Sequence, residues 1–213
     1  AGIKVDGNFV ATINSAAAGN NYTLSSITSA DGSTGVVNIN LNNGRELTLT
    51  GTGTTAKGYI ANLDTTSAPG NNANWAFAAA DNDYTGLGQI TFNNNADKLI
   101  INSGAQLNKA VRANAGGNGI IEANGSNVIF GGGITNGVGL LDIKDGKAAT
   151  LGAASNVQVA KVGNGSSLIV ANNVNITSDN IRGNNVDQGT LKFDGTSTVN
   201  ATKIGDGAKL NAV

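Results

Sequence analysis

The chain has 213 residues, a formal net charge of −1, only 13 % charged residues and no His, Cys or Met. That composition excludes histidine-based catalysis, thiolate metal sites and a disulfide framework. The near-neutral charge gives no electrostatic reason to expect nucleic acid or an anionic membrane surface, and no apolar run approaches the ~18 residues that span a bilayer.

Gly accounts for 31 residues and Asn for 33. Both tolerate left-handed backbone at low cost, so the chain can turn often. Low charge with abundant Ile, Val and Leu is the opposite of a disordered composition. The opening "AGIKVDGNFV" lacks the basic and apolar parts of a signal peptide, and "GAKLNAV" closes the sequence without a capping segment. Together they set the expectation of a piece of a longer polypeptide.

Along the chain, "VVNINLNNGRELTLTG" (36–51) alternates apolar and polar residues across an Asn-Gly. It reads either as a local hairpin or as two walls of a coil. Residues 61–88 break the pattern and hold the only Pro and the only Trp. They are predicted to be an inserted loop, with Trp75, Phe77 and Tyr84 as rings available for partner contact. From residue 88 onward short apolar clusters recur: "QITF", "KLIIN", "GIIEA", "NVIFG", "LLDIK", "NVQVAKV", "SLIVA", "NVNIT", "TLKFD" and "STVNATKI". Turn-rich segments such as "NNNAD", "KDG", "GNGS" and "DGTS" separate them. The period is that of strands with one buried face, and no apolar pattern of helical spacing is sustained.

Ile90, Ile120, Leu140, Leu168 and Leu191 each open a cluster, and the spacing between successive openings is loose, mostly in the twenties. The segments 165–177 and 188–202 align as Gly, short strand, turn, then an alternating strand ending in Thr. A two-strand unit recurring at that spacing predicts an all-β, right-handed parallel β-helix, a single domain over 1–213. Each coil is too small to bury its own apolar face, and stacking supplies a shared core. Leu141, Ile143, Leu168, Val170, Leu191 and Phe193 are expected in it.

Candidate chemistry is sparse. Glu46 and Glu122, the only Glu residues, lie far apart in sequence, and Asp142 and Asp145 read as a solvated turn beside Lys144 and Lys147. "DNDYTGLGQITF" (81–92) opens like a calcium loop with Asp81 and Asp83, but its twelfth position is Phe92 instead of a bidentate Glu. "GGG" at 131–133 lacks a following phosphate-loop Lys and reads as a bent corner. No cofactor is expected.

The segment "LLDIKDGKAATLGAASNVQVAKVGNGSSLIVANNVNI" resembles the passenger regions of bacterial autotransporters. In flavour it is nearest to the large rickettsial surface antigens, outer-membrane proteins A and B. The likeness covers residues 88–213 well and the earlier part loosely, and it rests on Gly-Asn corners around short Ile/Val/Leu strands. It implies export through the outer membrane by a C-terminal translocator barrel of the same polypeptide, lying outside this sequence. It further implies display at the bacterial cell surface without membrane insertion of this stretch. The role it implies is non-catalytic: adhesion to a host-cell surface protein or glycan, and action as a surface antigen. The alternative is a carbohydrate-active β-helix enzyme, a lyase or hydrolase, which would line one wall with several carboxylates or basic residues.

Overall fold

In a computed structural model the described residues are 2–5, 10–14, 22–29, 36–41, 46–53, 60–65, 74–77, 87–102 and 104–213. Their regular elements are strands stacked in parallel as a β-solenoid. The first wall is ten-stranded. It comprises β1 (Gly2–Val5), β3 (Tyr22–Ser29), β5 (Glu46–Gly53), β7 (Asn74–Phe77), β9 (Lys98–Ile101), β12 (Ile120–Ala123), β15 (Val138–Ile143), β17 (Ser155–Val162), β19 (Asn175–Gly183) and β21 (Thr198–Ile204). The second wall holds β2 (Val10–Asn14), β4 (Val36–Leu41), β6 (Ile60–Thr65), β8 (Leu87–Phe92), β11 (Val111–Ala113) and β14 (Ile134–Thr135). The third holds β10 (Gln106–Leu107), β13 (Val128–Phe130), β16 (Ala148–Leu151), β18 (Ser167–Val170) and β20 (Thr190–Phe193).

Register explains the repeat. Leu99, Ile121, Leu141, Ala160, Ile181 and Ile204 stack as direct partners on the first wall. Their numbering gives a nearly constant coil length, at the short end of known solenoid repeats. The uneven spacing of the cluster openings arises from comparing positions on different walls. Ile90 lies on the second wall, Ile120 and Leu140 on the first, and Leu168 and Leu191 on the third. The aligned segments at 165–177 and 188–202 are spatial neighbours, with Leu168 beside Leu191 and Ile176 beside Val199. "VVNINLNNGRELTLTG" divides into β4 and β5 on separate walls, each paired in parallel above and below, so it is no hairpin.

Inward columns form the core. On the third wall Leu107, Phe130, Leu151 and Val170 are fully buried one above another. Leu141, Ile143, Leu168 and Leu191 are buried as the sequence predicts. Phe193 is not: it extends the same column yet is 38 % exposed. The reason is its position on the last strand of that wall, past which only the Thr190–Ala212 bridge adds pairing.

Corners are held from coil to coil by short polar side chains. Asn124 Nδ2 donates to Asn102 Oδ1 at 2.9 Å, Asp145 Oδ1 accepts from the Asn164 amide at 2.8 Å, and Asn172 Oδ1 accepts from the Thr196 amide at 3.0 Å. Buried Ser166 donates from Oγ to the Lys144 carbonyl at 2.6 Å. Several of these bonds satisfy backbone groups that leave the ladders at each bend. Gly119 is required on two counts. Its φ is +85°, and a Cβ there would lie 2.1 Å from Cδ2 of buried Phe92.

Two substitutions separate core from edge. Leu191→Asp places an unpaired charge in the column and is expected to cost more than about 4 kcal/mol or abolish folding. Phe193→Asp, two residues on, should cost about 1 kcal/mol, since its ring is already partly in water. Urea unfolding of the two variants checks the contrast, and equal losses would contradict the column assignment.

Candidate functional site

The segment 61–88 does not behave as one inserted loop. Residues 60–65 and 87–92 are β6 and β8 of the second wall, and Asn74–Phe77 is β7 of the first wall, paired in parallel with both β5 and β9. Trp75 stands in register with Leu47 and Leu99, and Phe77 with Leu49 and Ile101. Their register partners Leu99 and Ile101 are fully buried. The correction has a simple cause. "Trp-Ala-Phe" has strand alternation, but the Pro-, Gly- and Asn-rich residues before it and the Ala run after it conceal a short wall strand. Tyr84, Pro69, Asp81 and Asp83 lie outside the described residues. Phe92, the mismatched position of the calcium-like loop, is a fully buried core residue of β8.

The stacking does assemble charges that the sequence keeps apart. On the outer face of the first wall, Ile100, Glu122, Asp142, Lys161 and Arg182 form one row, each the register partner of the next. Lys98, Ile120, Leu140 and Val159 form the row beside it. Glu122 and Asp142 are thus stacked like charges one strand apart, an unfavourable arrangement unless countered. Lys98 Nζ lies 2.7 Å from Glu122 Oε1. Lys144 Nζ donates to Asp142 Oδ2 and lies 3.8 Å from Glu122 Oε1. The two carboxylate side chains are only 18 % and 13 % exposed, and Asp142 Oδ1 is buried without a hydrogen-bond partner.

Asp142 is therefore a wall residue, and the expected solvated turn is confined to Asp145 and its neighbours. Partial burial acts to lower the Lys144 pKa, but the hydrogen bond to Asp142 and the charges of Asp142, Glu122 and Asp145 outweigh it and raise the value. The cluster is invisible in sequence because Glu122 and Asp142 sit a full coil apart along the chain. Glu46 occupies the same register row as Lys98, two strands away through Asn74.

Chemically, this arrangement is an inter-coil clamp first. Among the described residues, no three His, Cys, Asp or Glu side chains are grouped to hold a metal ion. The triple-glycine stretch is a corner, as predicted: Gly133 has φ +77° and closes a turn onto the Phe130 carbonyl, and a Cβ on Gly132 would strike the Lys109 backbone at 2.2 Å. No known protein family, curated protein or solved structure matches this chain.

The clamp gives a signed pH dependence. Because its folded pKa is raised, Lys144 contributes stability that is fully present below its unfolded pKa of ~10.4 and is lost as pH rises through the folded value. Lys144→Met should lower stability at pH 7 by about 1 kcal/mol, the side chain being 38 % exposed and partly screened. It should also remove part of the stability lost by the wild type above about pH 10. Chemical denaturation from neutral to strongly alkaline pH measures both, and identical alkaline profiles would contradict the clamp.

Proposed function

We propose that this chain is a non-catalytic, surface-displayed segment of a bacterial autotransporter passenger, acting in adhesion to host cells and as a surface antigen. In this reading a C-terminal barrel of the same polypeptide exports it. The observation that carries the proposal is the regular stack itself. Ten parallel strands at about 4.8 Å spacing make a rod of roughly 45 Å, suited to holding binding faces away from a membrane. Its clustered charges are engaged between coils, in keeping with a scaffold role.

A second reading is favoured by one specific observation. Glu122 and Asp142 are stacked neighbours, and a strand spacing of about 4.8 Å is near the ~5–5.5 Å separation of carboxyl groups in retaining glycosidases. Against catalysis, both carboxylates face lysine ammonium groups that tie them to the wall.

Beads coated with the purified chain should adhere to cultured mammalian cells well above uncoated beads, and soluble chain should compete. Adhesion equal to bare beads would contradict the proposal. Turnover of any polysaccharide, abolished by Glu122→Gln or Asp142→Asn, would establish the enzyme reading instead.

A further inference from the structure

The second wall ends at β14, whose two residues are Ile134 and Thr135. Above it the early residues of β17 take over that side. Ser155 Oγ accepts from the Ile134 amide at 3.1 Å and donates to the Ala153 carbonyl at 2.9 Å. Within β17 the inward positions are Ser155 and Val157, then Ala160 and Val162, so the strand changes phase between 157 and 160 as it bends onto the first wall. β19 repeats the change, with Ile176 and Ser178 inward, then Ile181 and Gly183. One bent strand thus replaces two straight ones, and the step leaves a groove of about 250 Å³.

Exposed Ala154 and the fully buried Ile134 contribute to its lining, with Thr135, Asn136, Asn156, Asn175, Thr177 and Ser155 around them. No charged residue lines the groove. Within the groove Ser155 is satisfied and Asn136 donates to the Ala113 carbonyl. By contrast, among the described residues no hydrogen bond engages the side chains of Thr135, Asn156, Asn175 or Thr177. Thr177 is the register partner of both Asn156 and Asn200, so neutral polar groups continue from the groove along one outward row.

We propose that this groove binds a neutral saccharide. Carboxamides and hydroxyls each offer a donor and an acceptor, which matches sugar hydroxyls that do both. Exposed Ala154 offers a small apolar contact to the C–H face of a pyranose ring. Strand spacing of about 4.8 Å sets Asn156, Thr177 and Asn200 at intervals comparable with the repeat of an extended pyranose chain. An anionic ligand finds no cation here. The inference rests on the adhesive reading for the biological source of the sugar, while the binding itself can be measured without it.

The test is titration of the intact chain with neutral hexose and N-acetylhexosamine oligosaccharides, followed by calorimetry or ligand-observed NMR. Binding is expected, and Asn156→Ala with Thr177→Val should weaken it roughly tenfold or more. Asn184→Ala, at an exposed corner away from the groove, should bind as wild type. All side chains altered are exposed, and thermal unfolding of each variant verifies the fold. No binding to any neutral oligosaccharide, binding confined to sulfated or sialylated ones, or binding unchanged in the double variant would overturn the proposal. Saccharide binding without cell adhesion would sink the adhesive reading and uphold the groove, and adhesion without saccharide binding would do the reverse.

Discussion

Parallel, in-register stacking governs every other feature of this protein. Each wall residue lies beside its counterpart one coil further along the chain, about 4.8 Å distant in space. An inward Leu therefore meets another apolar side chain above and below, and a core grows as columns rather than as a centre. The same rule makes outward charges dangerous. Glu122 above Asp142 would repel across one ladder step, and the lysines at 98 and 144 turn that repulsion into a bond between coils. Corners obey it too, because an Asn or Asp at one bend can reach the backbone of the next.

Much of this is legible in residues 88–213. Short alternating clusters broken by Gly and Asn specify strands and corners locally, and recurrence of the unit around Leu168 and Leu191 specifies stacking. What sequence cannot supply is the assignment of clusters to walls. A wall strand as short as Ile134–Thr135 carries no periodic signal, and three walls with similar apolar content look alike. The loose spacing between cluster openings follows from that ambiguity, because Ile90, Ile120 and Leu168 stand on three different walls. The segment around Trp75 misleads for a related reason: turn-rich flanks outweigh a very short strand.

The charged cluster and the polar groove mark two different limits. Glu122 and Asp142 meet only through register, so no local motif could announce them. The groove depends on the loss of a wall, when β17 and β19 bend to cover two sides at once. Its signal, a doubled inward pair with a skip between the pairs, exists in "SNVQVAKV" but requires knowing which residues face inward. Both features belong to the assembled stack. Neither is a property of any single strand.

Register is therefore the quantity to measure. The chain has no cysteine, so an introduced pair reports without background. Ile129 and Thr150 are register partners on the outer face of the third wall, while Ile169 is one coil further. Cα atoms of register partners, about 4.8 Å apart, fall within the roughly 4.4–6.8 Å range of disulfides, and two coils apart they exceed it. Under mild oxidation, Ile129→Cys with Thr150→Cys should form an intramolecular disulfide, identified by mass spectrometry of the peptide map, while Ile129→Cys with Ile169→Cys should remain reduced. A bridge in the second pair and not the first, or none in either folded variant, would contradict the stacked-coil account.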